Sequence, residues 1–383
     1  MKYIILVGDG MADKPVKELG GKTPLEAANT PNMDKIAASG VTGWAKTIPD
    51  DLPAGSDVAY LSILGYDPHK YYTGRAPLEA ANLGIDLKKD DVAFRCNLVR
   101  IENDIMADYS AGHIKTEDAK ELIRRLNDKL GSYGIRFYPG VSYRHIMVVP
   151  KGSVKLETKP PHDISDKNIT PYLPYGEGQE LILDLMNKSK EIFKNSKTKA
   201  NMIWLWGQGS MPHLPKFKIN GAVITAVDLI KGLGRLIGLS VINVPGATGY
   251  LDTNYAGKGQ YAINCLKEKD FVLVHVEAMD EASHIGSIGK KIEAIENFDK
   301  LTVGTVLKNT HALGDYRILL LPDHATPVET KTHSHDMIPF ALCGKNIVPG
   351  DIKSFNENEI AKSKLIIKDG YKLIDTLTLN PSP

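Results

Sequence analysis

Three short apolar runs in this chain each lead into acids or histidine. Tyr3–Val7 runs to Asp9, Phe271–Val276 to Glu277 and Asp280, and Ile318–Leu321 to Asp323 and His324. Runs this short, bounded by glycine or proline and alternating with helical patterns, read as parallel strands buried on both faces of an α/β sheet. Ligands of such sheets lie beyond the carboxyl ends of the strands. The polar residues that follow these three runs are therefore the first candidates for function.

Helix signals fill the intervals. Thr30-Pro31 offers a capping side chain and a proline at the first helical position, and Gly40 stops the segment that follows. Lys115–Leu130 places Ala119, Leu122, Ile123, Leu126 and Leu130 among charges, as an amphipathic surface helix does, and Glu177–Phe193 repeats the pattern. From about Gly84 to Pro215 the character changes, with strand-like pieces at Val92–Ile101, His145–Val149 and Met202–Trp206. We expect residues 85–215 to form an inserted α+β domain, and 1–84 with 216–383 to form the domain it interrupts. Asn380-Pro381-Ser382-Pro383 reads as a loose tail.

Composition excludes several classes. The 47 Lys and Arg almost cancel the 46 Asp and Glu, so no overall basic surface is offered to nucleic acid or anionic lipid. No apolar stretch approaches a bilayer span, and Tyr3–Val7 is too short for a signal-peptide core. Cys96, Cys265 and Cys343 are widely spaced and odd in number, which fits a reducing cytoplasm and neither a disulfide framework nor a CxxC metal site. Asn168-Ile169-Thr170 is then a chance glycosylation triplet. No pattern specifies an oligomeric state.

Four clusters carry chemistry. Gly8-Asp9-Gly10 sets an acid between glycines; alone, such an Asp is commonly a turn or cap residue. In Gly55-Ser56-Asp57, Ser56 opens a short apolar helix that Gly65 ends. It is either an N-cap or a hydroxyl held in the positive field of a helix terminus, where phosphate or an alkoxide is favoured. Asp280 and His284 are four residues apart and face the same way on a helical turn, as metal ligands or as a solvated ion pair. Most informative is the stretch from Asp323-His324 to His333-Ser334-His335-Asp336. It gathers three of the eleven histidines with acids directly after a buried strand, and these are ligands that zinc or manganese select. One serine, three acids and several histidines could serve two metals in phosphoryl transfer. Competing motifs fail: Val16 stands where a P-loop ending in Gly21-Lys22-Thr23 needs glycine, and Gly232–Gly238 has the wrong spacing for a dinucleotide fingerprint.

The ordered set Gly8-Asp9-Gly10, Gly55-Ser56-Asp57, Asp280-x3-His284, Asp323-His324 and His333 resembles the alkaline phosphatase superfamily. Thr30-Pro31-Asn32-Met33-Asp34, Leu64-Gly65-Tyr66-Asp67-Pro68, Ser110-Ala111-Gly112-His113, Trp204-Leu205-Trp206-Gly207-Gln208-Gly209 and Pro245–Tyr255 resemble, more narrowly, the short archaeal-type branch of the cofactor-independent phosphoglycerate mutases. The resemblance implies an alkaline-phosphatase-like α/β sheet sandwiched by helices and interrupted by an inserted α+β domain. It implies one divalent ion on Asp9, Ser56, Asp323 and His324, and a second on Asp280, His284 and His333, the metals being Mn, Co or Zn. Position relative to Pro339-Phe340 favours His333 over His335, a choice that the His333-Ser334-His335 spelling leaves open. Ser56 would attack 3-phosphoglycerate, a small phosphorylated substrate, and the phosphoserine would return its phosphoryl group to the 2-hydroxyl, with no bisphosphoglycerate needed. The inserted domain would hold the glycerate carboxylate through Arg144, His113, Arg95 and His162. A homoserine-kinase-type phosphotransferase of the same superfamily, or a metal-dependent phosphatase, is the alternative reading. The kinase should need a nucleotide loop, and none is legible.

Overall fold

The computed structural model describes residues 1–131 and 134–379; the expected tail at 380–383 lies outside the described residues. The chain divides into two compact units, Met1–Tyr72 with Leu214–Pro383, and Thr73–His213.

The first unit is built on an eight-stranded sheet. Its strand order is Ser240–Ile242, Gly221–Ile224, Phe271–Val276, Lys2–Gly8, Tyr316–Leu321, Ile338–Gly344, Gly40–Ala45 and Ile366–Ile367. The five strands from Ser240–Ile242 to Tyr316–Leu321 run parallel, and the Ile338–Gly344 strand is antiparallel to both neighbours. Ile4, Ile5, Leu6 and Val7 are wholly buried, because helices cover both faces of a parallel sheet; this is why the run shows no polar alternation. Register does the rest. Val7 sits beside both His275 and Leu321, so all three apolar runs end at one level and present Asp9, Glu277 and Asp323 along one rim.

The helix predicted after Thr30-Pro31 spans Pro31–Ala38, but Thr30 makes no capping bond through its side chain. Asp299, in a turn of π-helix at Phe298–Val303, accepts instead from the N–H groups of Asn32 (3.0 Å) and Met33 (2.7 Å). An ionised acceptor for two first-turn donors serves a helix N-terminus better than a neutral hydroxyl.

The second unit carries an antiparallel sheet in which Asp91–Glu102 is flanked by Arg144–Pro150 and Met202–Gly209. The Thr116–Leu130 and Gln179–Phe193 helices bury their apolar stripes against it. This unit begins at Thr73 rather than at residue 85. The Ala76–Asn82 helix packs Ala76 and Ala80 against Ala93, Ile146 and Val148 of the sheet, and Thr73 Oγ1 donates to the Ser210 carbonyl at 2.6 Å. No helix among the described residues is long and apolar enough to cross a membrane.

Candidate active site

Asp9 follows the Lys2–Gly8 strand, Asp280 and His284 lie on the Ala278–His284 helix after Phe271–Val276, and Asp323 and His324 follow Tyr316–Leu321. Ser56 is the first residue of the Ser56–Ile63 helix. Gly55 occupies the capping position, so Ser56 is not the N-cap. Its hydroxyl instead lies 3.2 Å from His324 Nε2. Around that nitrogen stand Asp323 Oδ2 at 3.3 Å and Asp9 Oδ1 at 3.6 Å.

The second cluster is centred on Asp280. Its Oδ2 is 3.0 Å from His284 Nε2, its Oδ1 is 3.5 Å from His333 Nε2, and the two imidazole nitrogens are 3.2 Å apart. His335 turns elsewhere, with its Nε2 2.7 Å from the Leu52 carbonyl.

Hydrogen bonding fixes the tautomers. His284 Nδ1 faces the Lys331 carbonyl at 2.9 Å and His333 Nδ1 faces the Ala54 carbonyl at 3.3 Å. A carbonyl only accepts, so each Nδ1 carries a proton and each Nε2 is the atom turned toward Asp280. Against the effect of burial, that carboxylate raises His284 to about 9 and His333 above its ordinary value, and a cation bound there would displace the Nε2 protons. Thr326 sets His324 in the same way. Its one hydroxyl proton goes to Asp280 Oδ1 at 2.6 Å, so its oxygen accepts from His324 Nδ1 at 3.1 Å, leaving His324 Nε2 a lone pair.

The His324 lone pair thus converges with carboxylate oxygens at the strand ends. Asp9 Oδ1 and Asp323 Oδ2 are buried without a hydrogen-bond partner. Asp280, His284 and His333 form one group with ligand atoms close enough for a single ion, and Asp9, Asp280 and His324 form another. Unpartnered buried acceptors are expensive, and oxygen with imidazole nitrogen is the donor set that divalent transition metals take. The residues fit such ions.

The charge pattern agrees. Burial, then repulsion from Asp323, Asp280 and Glu277, pushes the Asp9 carboxyl well above its ordinary range. Burial raises Asp323 to about 6. Burial also opposes ionisation of Asp280, but His333 and His284 beside it hold that carboxyl well below the usual range. Backbone approach is equally tight. Gly10 has φ +60°, and a Cβ there would stand 2.6 Å from Asp280 Oδ1 and 2.8 Å from Asp280 Cα. Its N–H donates to Asp323 Oδ1 at 3.1 Å, so this glycine lets two strand ends share one pocket of charge.

The four residues assigned to substrate also lie together, on the second unit. Arg144 stands over Tyr143, with 5.5 Å from guanidinium to ring centroid, and His113 meets the same ring edge-on. His162 contacts Tyr109 and Trp206 edge-on. These three side chains are exposed. Arg95 is buried, lies 4.3 Å from the Trp206 ring centroid and pairs with Glu79 at 3.0 Å. Burial would raise the Glu79 carboxyl, but Arg95, Arg75 and Arg144 hold it below its ordinary value.

Sequence reasoning passed over His275, Thr326 and Glu79. His275 and Thr326 are fully buried polar side chains beside the acids of the first unit. A histidine inside an apolar strand is itself a signal, since burial demands a partner.

Comparison with known proteins follows the same lines. The family model described as 2,3-bisphosphoglycerate-independent phosphoglycerate mutase matches residues 37–199. A mutase of that name from Methanosarcina barkeri is 51% identical, covering 98% of this chain and 99% of the relative. A probable one from Geobacter sulfurreducens is 47% identical over the same shares. Among solved structures, a protein from Pyrococcus horikoshii is 32% identical with a TM-score of 0.81, covering 98% of this chain and 96% of that one. The cofactor-independent phosphoglycerate mutase from Thermoplasma acidophilum is 26% identical with a TM-score of 0.64, covering 98% and 99%. Likeness at this level across nearly the whole length, on a sheet rim bearing a serine among buried acids and histidines, means that the chain belongs to the 2,3-bisphosphoglycerate-independent phosphoglycerate mutase family, isomerases that move a phosphoryl group within one molecule.

Proposed function

We propose that this chain interconverts 3-phosphoglycerate and 2-phosphoglycerate with Ser56 as the transient phosphoryl carrier. Asp9, Ser56, Asp323 and His324 would hold one divalent cation, and Asp280, His284 and His333 a second, of the manganese, cobalt or zinc kind. The observation that carries the reading is the convergence of the Ser56 hydroxyl, the His324 lone pair and the orphaned Asp9 Oδ1 and Asp323 Oδ2. Bound there, the cations would favour ionisation of the serine hydroxyl and draw charge from the phosphoryl oxygens.

Ser56 Oγ forms a bond to phosphorus as the bond to the substrate's 3-oxygen breaks, and glycerate takes up the proton the serine has released. The 2-hydroxyl of the same glycerate then displaces Ser56 in the reverse sense. N–H groups in the first turn of the Ser56–Ile63 helix face the developing charge. Water must stay out during the phosphoserine stage, or hydrolysis wins. Arg144, with His113 and His162 beside it, offers donors for the glycerate carboxylate, while Arg95 positions this surface through Glu79 and Trp206. The reading places the enzyme in the cytoplasm, where its three free cysteines persist.

The test is direct. Chelator-stripped protein should be inactive; with Mn²⁺ restored, phosphorus NMR should show 2-phosphoglycerate forming from 3-phosphoglycerate without added bisphosphoglycerate. Release of inorganic phosphate as the main product, or ATP-dependent phosphorylation of homoserine, would overturn it.

A further inference from the structure

His275 is the last residue but one of the apolar Phe271–Val276 strand and is wholly buried. Its Nε2 is 2.7 Å from Asp9 Oδ2 and its Nδ1 is 2.8 Å from Thr225 Oγ1. Thr225 is buried too, and its oxygen accepts the Val227 N–H at 3.0 Å. One arrangement of protons satisfies this chain of contacts with Asp9 ionised. Asp9 Oδ2 can only accept, so His275 Nε2 carries the proton. Nδ1 of the neutral ring then holds a lone pair, so the Thr225 hydroxyl donates to it. The Val227 N–H completes the line by donating to the hydroxyl oxygen.

The consequence falls on Asp9. One of its oxygens is occupied by a short, buried bond, while Oδ1 has no partner and faces His324 Nε2 and Ser56. We infer that His275, held by Thr225, is a positioning residue that pins Asp9 through Oδ2 and so dedicates Oδ1 to a divalent cation shared with Ser56, Asp323 and His324. The inference rests on the two-cation reading above and deepens it. It gives one of the two clusters a dedicated support. His275 makes no hydrogen bond to Asp280, His284 or His333, the acids and histidines of the other cluster, whose imidazoles are oriented by main-chain carbonyls.

That asymmetry supplies the experiment. Chelator-stripped full-length protein is titrated with Mn²⁺ alone by calorimetry, with thermal melting of the same samples. Wild type should take up two ions. His275→Ala should weaken one of them by about 10–100-fold, the usual cost of losing such a support, and leave the other unchanged. Thr225→Val should weaken the same site by less. His275→Gln, whose amide nitrogen can stand near the position of Nε2, should recover most of the loss. Asp9→Asn serves as the reference and should abolish that one site.

Two unchanged sites in both His275→Ala and Thr225→Val would overturn the proposal while leaving the two-cation reading intact. Equal weakening of both sites, tracking a lowered melting temperature, would do the same, because it would make His275 a structural residue only. Two intact sites in Asp9→Asn would remove the ligand reading itself, and this inference with it.

Discussion

Lys291 gives the clearest link between packing and the rim of acids. Its ammonium is wholly buried and has three acceptors, Asp13 Oδ2 at 2.8 Å, the Thr326 carbonyl at 2.9 Å and the Ala12 carbonyl at 3.2 Å. Three donors meet three acceptors. The Ile288–Asn297 helix thereby ties the loop that carries Asp9 to the loop that carries Asp323 and His324. Replacing Lys291 by methionine keeps the aliphatic stem and removes the charge. Asp13 would retain the Lys14 and Val328 N–H groups at 2.7 and 3.1 Å, but would stand as a buried anion near Glu357, a half-buried carboxyl that accepts the Asp13 N–H.

Breaking a buried pair from one side costs about 3–5 kcal/mol, and two carbonyls lose their donor as well. Because these terms share one site they do not add fully, and we expect about 4 kcal/mol for Lys291→Met. At roughly 2–4 °C per kcal/mol for a unit of this size, the calorimetric transition of the first unit should fall by roughly 8–16 °C. The second change, Asp13→Asn in the Lys291→Met background, removes the stranded charge and should recover about half of the loss, since replacing both members of a buried pair is far milder than removing one. Mn²⁺ affinity of Lys291→Met should fall below its transition temperature, as the two tied loops separate. A shift under 2 °C, or a double variant less stable than the single one, would refute this account.

Other outcomes follow from single groups. Ser56→Ala should bind Mn²⁺ at one site as wild type does and at the other more weakly; it should form no phosphoprotein with 3-phosphoglycerate, and turnover retained by mass-spectrometric and NMR assay would remove Ser56 as carrier. Thr326→Val should lower Mn²⁺ affinity by about 10–100-fold, because Asp280 loses a donor and His324 Nδ1 its acceptor; Thr326→Ser, which keeps the hydroxyl, should stay within a few-fold. His145, in the second unit, accepts the Gly140 N–H on Nδ1 at 3.0 Å and is pushed down to about 3 by burial, with Arg144 adding to the effect. Unfolded, it takes a proton below about pH 6.5, so the second unit should lose about 1.4 kcal/mol per pH unit between 6.5 and 3 on this account. His145→Gln should flatten that slope in urea titrations across the range; parallel slopes for the two proteins would count against it.

The sheet and its rim were legible because a parallel strand buried on both faces leaves an unbroken apolar run, and its end is marked by the first charge. Asp9, Asp280 and Asp323 are such marks. Ser56 was ambiguous because a serine before a helix is ordinarily a cap, and only tertiary structure shows that Gly55 takes that position and that the hydroxyl faces His324. Thr30 misled in the opposite direction, since its local pattern is correct and a distant Asp299 does the work. The domain boundary at 84 followed a composition shift, whereas the Ala76–Asn82 helix is assigned by what its two alanines touch. Lys291 was invisible for a related reason. A lysine on an amphipathic helix reads as solvated, and its acceptors lie on two loops far away in sequence.

The supporting residues share a logic that explains why the site needed so few distinctive residues in the sequence. Each histidine of the rim has one nitrogen occupied by a group that can only accept there: the Lys331 carbonyl for His284, the Ala54 carbonyl for His333, and Thr326, its proton already given to Asp280, for His324. Three Nε2 atoms are thereby turned inward before any ligand arrives. Asp9 and Asp323 meet them with oxygens that nothing else satisfies. In the folded chain alone this concentration of negative potential is a cost, visible in how far burial and mutual repulsion raise Asp9. A divalent cation would reverse its sign. A two-cation enzyme of this design should therefore gain stability on loading as well as activity, by about 2.7 kcal/mol at a free ion concentration one hundred times the dissociation constant. The same arrangement should also resist the ion-free state through repulsion within a fixed frame, with the sheet register holding the acids in place whether or not the charge between them is balanced.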